Sequence, residues 1–582
     1  MTYCWKLNPT VPNDYLELSH KLQIPEPLSQ VLYHRGFHTE QELTAFFSAS
    51  HSHSYEPQKL KDLTKAVKRI SYAIQNSEKI IIYGDYDVDG ITSSALLYLF
   101  FEVYNYYHEP RAIVESLLPD RVLEGYGLKI PGVDKAIEHN AKLIITVDNG
   151  ISSHDAIIHA KNHNIDVIII DHHRVPEELP VAHAIINPKQ KDCGYPDSGL
   201  SAVGLVYKLC DALGSTLLND TARTRFLNRY IDYVAIGTYQ DMAPLVGENR
   251  YFVKRGMEEL QRVKQDGNTN LKGITELLKL SGQMKKPIDT TILGFHIGPV
   301  INAAGRISSA QKAYRLLITR DPDEARELGV ELTKINHLRR DMTSQAVKEA
   351  VSVVESQNLH SENIILLRSD TWHQGIIGLV AQQIKDCYKK TCIVMTKASS
   401  PYYTGSARSH GAFDIGALLQ SLSEYLIHHG GHKKAAGFSI SPDNLNQFRE
   451  AIFRKLNETD FVHEIPELKV EAVLRLEDLK GSFLDKLNLL EPYGEANPVP
   501  VFGIFDLEIM SVKKSQRGLD SLIRVTRNNE NLDLVAFNNT LFAESFSPGD
   551  QVDVAIEISN SDRGFKGKIR DIRKPEIKGV SQ

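Results

Sequence analysis

From Leu60 onward the apolar residues keep changing their spacing, and each change marks an element. Leu60, Leu63, Val67, Ile70 and Ile74 recur at three- and four-residue steps with Lys and Arg between them, which predicts an amphipathic helix. A short apolar run then breaks into acidic residues in KIIIYGDYDVDG (79–90), and the same shape returns in KLIITVDNG (142–150) and DVIIIDHH (166–173). Helical stretches separate the runs, SSALLYLFFEVYN after the first and DAIIHAKNHN after the second. Buried runs alternating with helices predict a parallel sheet covered on both faces. Polar residues bunch where each run ends, and open parallel sheets bind ligands outside the carboxyl ends of their strands.

A long connector helix is predicted near 322–356, with Asp321 as N-cap, Pro322 in the first helical position and Glu324 completing a capping pattern. Its apolar residues Leu328, Leu332, Ile335 and Met342 keep to one stripe. A second α/β unit follows, with NIILLRSD, TCIVMTK, TGSARS (404–409) and the glycine-rich GGHKKAAGFS (430–439). Beyond Ile465 the pattern becomes short strands and turns: LKVEAVLRL, VFGIFDLEIMSV, LIRVTRN, LDLVAFN and QVDVAIEI, which suits a small barrel of OB type. The expected organisation is an N-terminal extension (1–58) wrapped on the domain after it, a parallel-sheet α/β domain (59–320), the connector (321–358), a second α/β domain (359–462) and the barrel (463–582). The HSHS run at 51–54 reads as a surface loop rather than a metal site, because no companion ligands flank it.

The chain has 582 residues, too many for one core, and its 42% hydrophobic and 24% charged content is ordinary for a globular protein. No run approaches the ~20 apolar residues that span a bilayer, and the first residues lack the pattern of a secretory signal, so a cytoplasmic location and no membrane contact are expected. Five scattered cysteines, none spaced as CxxC, argue against disulfides and a zinc knuckle. The formal charge of −6 withholds the basicity common in nucleic-acid binders, so any such site must concentrate Lys and Arg locally.

Asp85, Asp87, Asp89, Asp148, Asp171, His172 and His173 each follow an apolar run, and Asp241 ends another, IDYVAIGTYQ. So many carboxylates massed without counter-charge require cations. Asp and His without Cys suit Mn²⁺ or Mg²⁺, and the number of ligands suggests two ions, an arrangement that serves in-line displacement at phosphorus. A lone VDNG is an ordinary strand ending. DYDVDG resembles part of a calcium loop but is followed by an apolar helix and lacks the closing Glu. Only the ordered set carries weight.

GDYDVDGITSSALL, TVDNG, DHH and GTYQDMAPL resemble the four signature motifs of the DHH phosphoesterase superfamily. DRVLEGYGL, SAVGLVYKL, GPVINAAGRI, WHQGIIGLVA, GSARS, GGHKKAAGFS and EPYGEANPVPVF resemble its RecJ family in particular, in order from about Ile80 to the end. The resemblance implies that Asp87, Asp89, Asp148, His172, His173 and Asp241 are the catalytic metal ligands, with Asp148 a candidate bridge and Asp85 and Asp171 weaker ligands or supports behind them. It implies substrate contacts from Arg121, Asn302, Arg306, Ser406, Arg408 and His432, the arginines matching phosphate oxygens with planar forks. The glycines of GGHKKAAG are expected to let backbone N–H groups approach a phosphate.

The implied activity is 5′→3′ exonucleolytic hydrolysis of single-stranded DNA to 5′-mononucleotides, in recombination and repair. A strand would thread between the two α/β domains while the barrel stacks bases on Phe505, Arg524 and Phe537. No GxxxxGK[ST] motif appears, so a helicase is an expected partner, with a single-strand-binding protein a second. The alternatives are a DHH phosphodiesterase for short oligonucleotides or nucleotide messengers, and a scaffold that has lost its chemistry. The chain departs from the family pattern at Tyr83 (often His), Val88 (usually Ala), the QDM context of Asp241, Gln374 (commonly Pro) and Ala496 (usually Gly).

Overall fold

A computed structural model describes residues 3–575 apart from 49–53, 122–123, 267–271, 398–400, 459–465, 480, 516–519, 538, 540 and 562–563. The chain forms two compact units, one of residues 54–462 and one assembled from 1–53 and 463–582. The described residues contain no helix long and apolar enough to cross a membrane. Of the HSHS run, 51–53 lie outside the described residues.

In the larger unit five parallel strands lie in the order Ile113–Leu117, Lys79–Tyr83, Ala141–Val147, Asp166–Ile170, Ala184–Ile186. Side chains alternate across the pleat: Ile80 and Ile82 enter one apolar layer, Ile81 and Tyr83 the other. Burial on both faces is why the runs read as continuous apolar stretches. The two outermost strands escaped the sequence reading because one, IVESL, is half-exposed and the other has three residues. The strand order turns back between Lys79–Tyr83 and Ala141–Val147, which makes their carboxyl ends the natural ligand crevice. Tyr83 does not reach that crevice. It is buried in the layer beneath, against Gly132, where a Cβ would come within 2.8 Å of the ring. IDYVAIGTYQ is a helix, Ile231–Gln240, not a strand.

The connector helix is Pro322–Ser356, capped by the Asp321 carboxylate accepting from Asp323 N at 2.9 Å. Glu324 does not close a capping box; it accepts from Thr319 and Arg315. The helix buries Ala325 and Leu332 against the first domain and Ala346, Ala350 and Val354 against the second. The second sheet runs Leu426–His432, Ala435–Ile440, Tyr403–Arg408, Cys392–Lys397, Ile365–Ser369. GGHKKAAGFS is therefore a paired hairpin, with Gly430 opposite Gly437, rather than a free glycine loop.

In the smaller unit the strands Phe502–Lys514, Ser521–Arg527, Glu530–Ala536, Gly564–Arg573 and Gln551–Ser561 close into a barrel through pairing of the first with the last. The N-terminal segment packs on this barrel, not on the domain that follows it in sequence. Cys4–Leu7 pairs in parallel with Glu467–Val470, and Trp5 Nε1 donates to Asp571 Oδ2 at 2.8 Å. Leu28, Val31, Leu32, Leu43 and Phe46 join the barrel's own core, each burial worth about 1.5–3 kcal/mol. Arg35 forks onto Glu471 at 2.8 and 2.9 Å and also binds Asn497 of the EPYGEANP stretch. The half-buried ring of Phe505 lies edge-on to Trp5. Arg524 is paired with Asp533, and Phe537 is 58% exposed.

Candidate metal centre

Asp85 and Asp87 leave the end of Lys79–Tyr83, and Asp87 caps the next helix by accepting from Gly90 N at 3.1 Å. Asp89, in the first turn of that helix, turns its carboxylate to the start of another helix, Ala202–Leu217, where it accepts from Ala202 N (2.8 Å) and Val203 N (2.9 Å). That helix terminus favours the negative charge. The motif SAVGL thus supplies backbone donors, a role its side chains did not announce. Gly237 packs on the same place: a Cβ there would stand 3.1 Å from Asp89 Oδ1 and 2.4 Å from Thr92 Oγ1. Asp148 follows Ala141–Val147 in a left-handed conformation (φ +65°), uncommon for a residue with a side chain and characteristic of functional turns. Asp241 closes the helix Ile231–Gln240.

These residues form three overlapping groups whose possible ligand atoms lie within 4.8 Å of one another: Asp85, Asp87 and Asp148; Asp148, His172 and His173; Asp89, His172 and Asp241. His172 Nε2 is 3.3 Å from Asp148 Oδ1 and its Nδ1 3.7 Å from Asp241 Oδ2. Asp85 Oδ1, Asp148 Oδ1 and His172 Nε2 are buried without a hydrogen-bond partner among the described residues. Orphaned lone pairs within these adjoining groups fit cations, and oxygen with imidazole and no sulfur fits Mn²⁺ or Mg²⁺. Asp85, expected as a weaker ligand or a support, falls in one of these groups.

The electrostatics agree. Burial, then Asp87, Asp89, Asp85 and Asp241, push the Asp148 carboxyl well above its ordinary range. Burial and Asp87 do the same to Asp85 and raise Asp89 to about 7, and burial with Asp89 and Asp87 raises Asp241 to about 9. Burial holds His172 neutral, at about 3. Burial opposes charge on His173 too, but the bond from Nδ1 to Asp171 Oδ1 (2.7 Å) outweighs it and raises His173 to about 9. Asp171 stands behind the cluster, also accepting from Ile151 N and His173 N at 3.0 Å each.

Two neighbours went unnoticed in the sequence. Tyr126, inside the quoted DRVLEGYGL, donates to Asp148 O at 3.1 Å and lies 3.1 Å from His173 Nδ1. Lys189 donates to the His172 carbonyl. Beside them opens a cleft of about 1360 Å³ between the two sheets, lined by Tyr126, Arg121, Ser406, Arg408 and His432 among others. Asn302 and Arg306 do not line it. Arg121 stacks over Tyr86 at 4.9 Å, and Arg408 donates to Ser406 Oγ at 3.1 Å. Arg306 donates to Gly375 O at 3.4 Å.

The chain matches the models of the DHH family N-terminal domain over residues 79–238, the DHHA1 domain over 361–458 and the RecJ OB domain over 470–568. It is 34% identical over 562 residues to the single-stranded-DNA-specific exonuclease RecJ of Bacillus subtilis (strain 168), covering 95% of this chain and 68% of that one. The crystal structure of RecJ from Thermus thermophilus in complex with Mn²⁺ superposes with a TM-score of 0.81 at 25% identity, covering 98% of this chain and 80% of that one. The complex of that RecJ with Mg²⁺ shares the fold, with a TM-score of 0.75 at 24% identity over 98% of this chain and 79% of that one.

Proposed function

Because the chain belongs to the RecJ family, whose named members are single-stranded-DNA-specific exonucleases, we propose that it degrades single-stranded DNA from the 5′ end and releases 5′-mononucleotides. The observation that carries this is one juxtaposition: seven Asp and His ligands at the carboxyl edge of the parallel sheet, beside an arginine-bearing cleft. Asp85, Asp87 and Asp148 would hold one cation and Asp89, His172 and Asp241 the other; Asp148 and His172 belong to two groups each, and His173 would complete the set. When bound, Mn²⁺ or Mg²⁺ supplies the charge that favours attack of water on a phosphodiester and departure of the leaving oxygen.

The protein's own groups do the rest. Backbone N–H donors from Ala202 and Val203 fix Asp89, Asp171 holds the His173 ring, and Tyr126 ties the turn carrying Asp148 to that histidine. Arg121, Arg306, Arg408, Ser406 and His432 receive the strand's phosphates. The division of labour follows the chain: 59–320 cleaves, 321–358 links, 359–462 grips the strand and 463–582 binds single-stranded DNA. The enzyme works in the cytoplasm, in recombination and repair, on strands opened by a helicase and coated by a single-strand-binding protein.

The test is a long single strand labelled at either end, incubated with Mn²⁺ and followed in time. Immediate release of a labelled mononucleotide from the 5′-labelled strand alone supports the reading. Early release from the 3′ label reverses the polarity. Cleavage confined to di- and trinucleotides moves the substrate to short oligonucleotides.

A further inference from the structure

Arg306 stands at the end of the helix Gly298–Ile307, half-buried, with other cations near enough to act on it. Burial and then Arg121, Arg339 and Arg408 pull its guanidinium below the ordinary range, more than Asp87 of the metal cluster offsets. Arg339 comes from the connector helix. Its turn reaches the same place, because Ile307, Met342 and Ile376 share one apolar cluster, and Ile307 and Ile376 adjoin Arg306 and its acceptor Gly375. Arg339 Nε is buried with no hydrogen-bond partner among the described residues. Burial and the neighbouring Arg340 hold Arg339 below its ordinary range, and no acid opposes them. Asn336, one turn earlier and 3% exposed, does not take the donor: its own Oδ1 is buried and unpartnered.

A guanidinium desolvated beside other guanidiniums is unfavourable unless an anion joins it. The carboxylates nearby are committed to the metal cluster, so the anion must arrive with the substrate. Resting on the nuclease reading, we propose that Arg339 binds a substrate phosphate together with Arg306, so that the connector helix is part of the strand's binding site and not only a spacer between domains. Phosphate suits this pair because two planar forks can share its several oxygens.

The test compares the full-length protein with Arg339→Gln, Arg339→Lys and Arg340→Gln, reading KM, kcat and their dependence on salt with a long single strand in Mn²⁺, alongside Tm. Losing a charge-assisted bond made to the bound strand, Arg339→Gln is expected to raise KM about 10-fold or more with kcat within about 3-fold. It should also flatten the slope of log(1/KM) against log salt by about 0.7, one single-strand phosphate contact. Arg339→Lys keeps the charge and recovers most of the slope. Arg340→Gln, on an exposed neighbour, controls for net charge and changes KM less than about 2-fold. An unchanged slope in Arg339→Gln, whether or not Tm falls, overturns the proposal, as does an equal change in Arg340→Gln. These outcomes require an active wild type; a wild type unable to degrade single strands would instead defeat the nuclease reading itself.

Discussion

His173 Nδ1 lies 2.7 Å from Asp171 Oδ1, two residues away in the turn that leaves the strand Asp166–Ile170. The other Asp171 oxygen accepts from Ile151 N at 3.0 Å, so the carboxylate is anchored to the neighbouring strand's turn before it touches the ring. With the Nδ1 proton directed to Asp171, Nε2 is the atom left for a metal. Asp171→Asn keeps the shape and removes the charge. Mn²⁺ affinity and kcat are expected to fall about 10- to 100-fold, measured by metal titration and by rate, with excess Mn²⁺ restoring part of the activity. Wild-type values in both would contradict the role.

The raised proton affinities at the centre set a dependence on pH. In the metal-free fold His173 and Asp241 keep a proton up to about 9, above where each loses it in the unfolded chain. Each therefore contributes stability that is complete at low pH and is lost as pH rises toward about 9. The depressed His172, at about 3, acts in the opposite sense but outside this range. Tm of the EDTA-treated protein should fall between about pH 6.5 and about pH 9. Mn²⁺, taking the place of the protons, should raise Tm more at the upper end than at the lower. A Mn²⁺ effect equal at both ends would contradict the cluster as described.

Ala496 sits at φ +60°, in the turn where Gly494 and Asn497 form a bridge. Asn497 there donates to Leu490 O and Pro492 O and accepts from Arg35, so the turn is held from both sides. A left-handed residue with a Cβ costs about 1–2 kcal/mol, partly offset by the lower entropy of unfolded alanine. Ala496→Gly is expected to stabilise this unit by about 1 kcal/mol in denaturant titration. A loss of stability would mean the strain is absent.

The catalytic sheet was legible because both its faces are buried, which left Ile80–Ile82, Leu143–Ile145 and Ile168–Ile170 as unbroken apolar runs ending in acids. Its outer strands were not, since a half-exposed edge has no such signature. The residues of the candidate metal groups and Asp171 behind them could be named in advance, but not the other groups that position them. Asp89 is held by backbone N–H groups, which every residue but proline possesses, and Tyr126 reaches the site by a hydroxyl that looks like any other tyrosine's. The docking of residues 3–48 on the barrel depends on Trp5 and Arg35 meeting Asp571 and Glu471 from the other end of the chain, a pairing no local pattern encodes. Arg339 lies on a helix dense with charge, where sequence alone reads a solvated face.

The most direct test of the metal centre is Asp148→Asn. Asp148 belongs to two of the three ligand groups, and Asn tolerates its left-handed backbone while lacking the charge. A 5′-labelled long single strand is incubated with the full-length protein in Mn²⁺, in EDTA, and with the variant in Mn²⁺. The account predicts mononucleotide release that EDTA abolishes and the substitution slows on the order of 10³-fold, with the variant still folded by Tm. A variant that degrades the strand at the wild-type rate, or a wild type indifferent to EDTA, would contradict it.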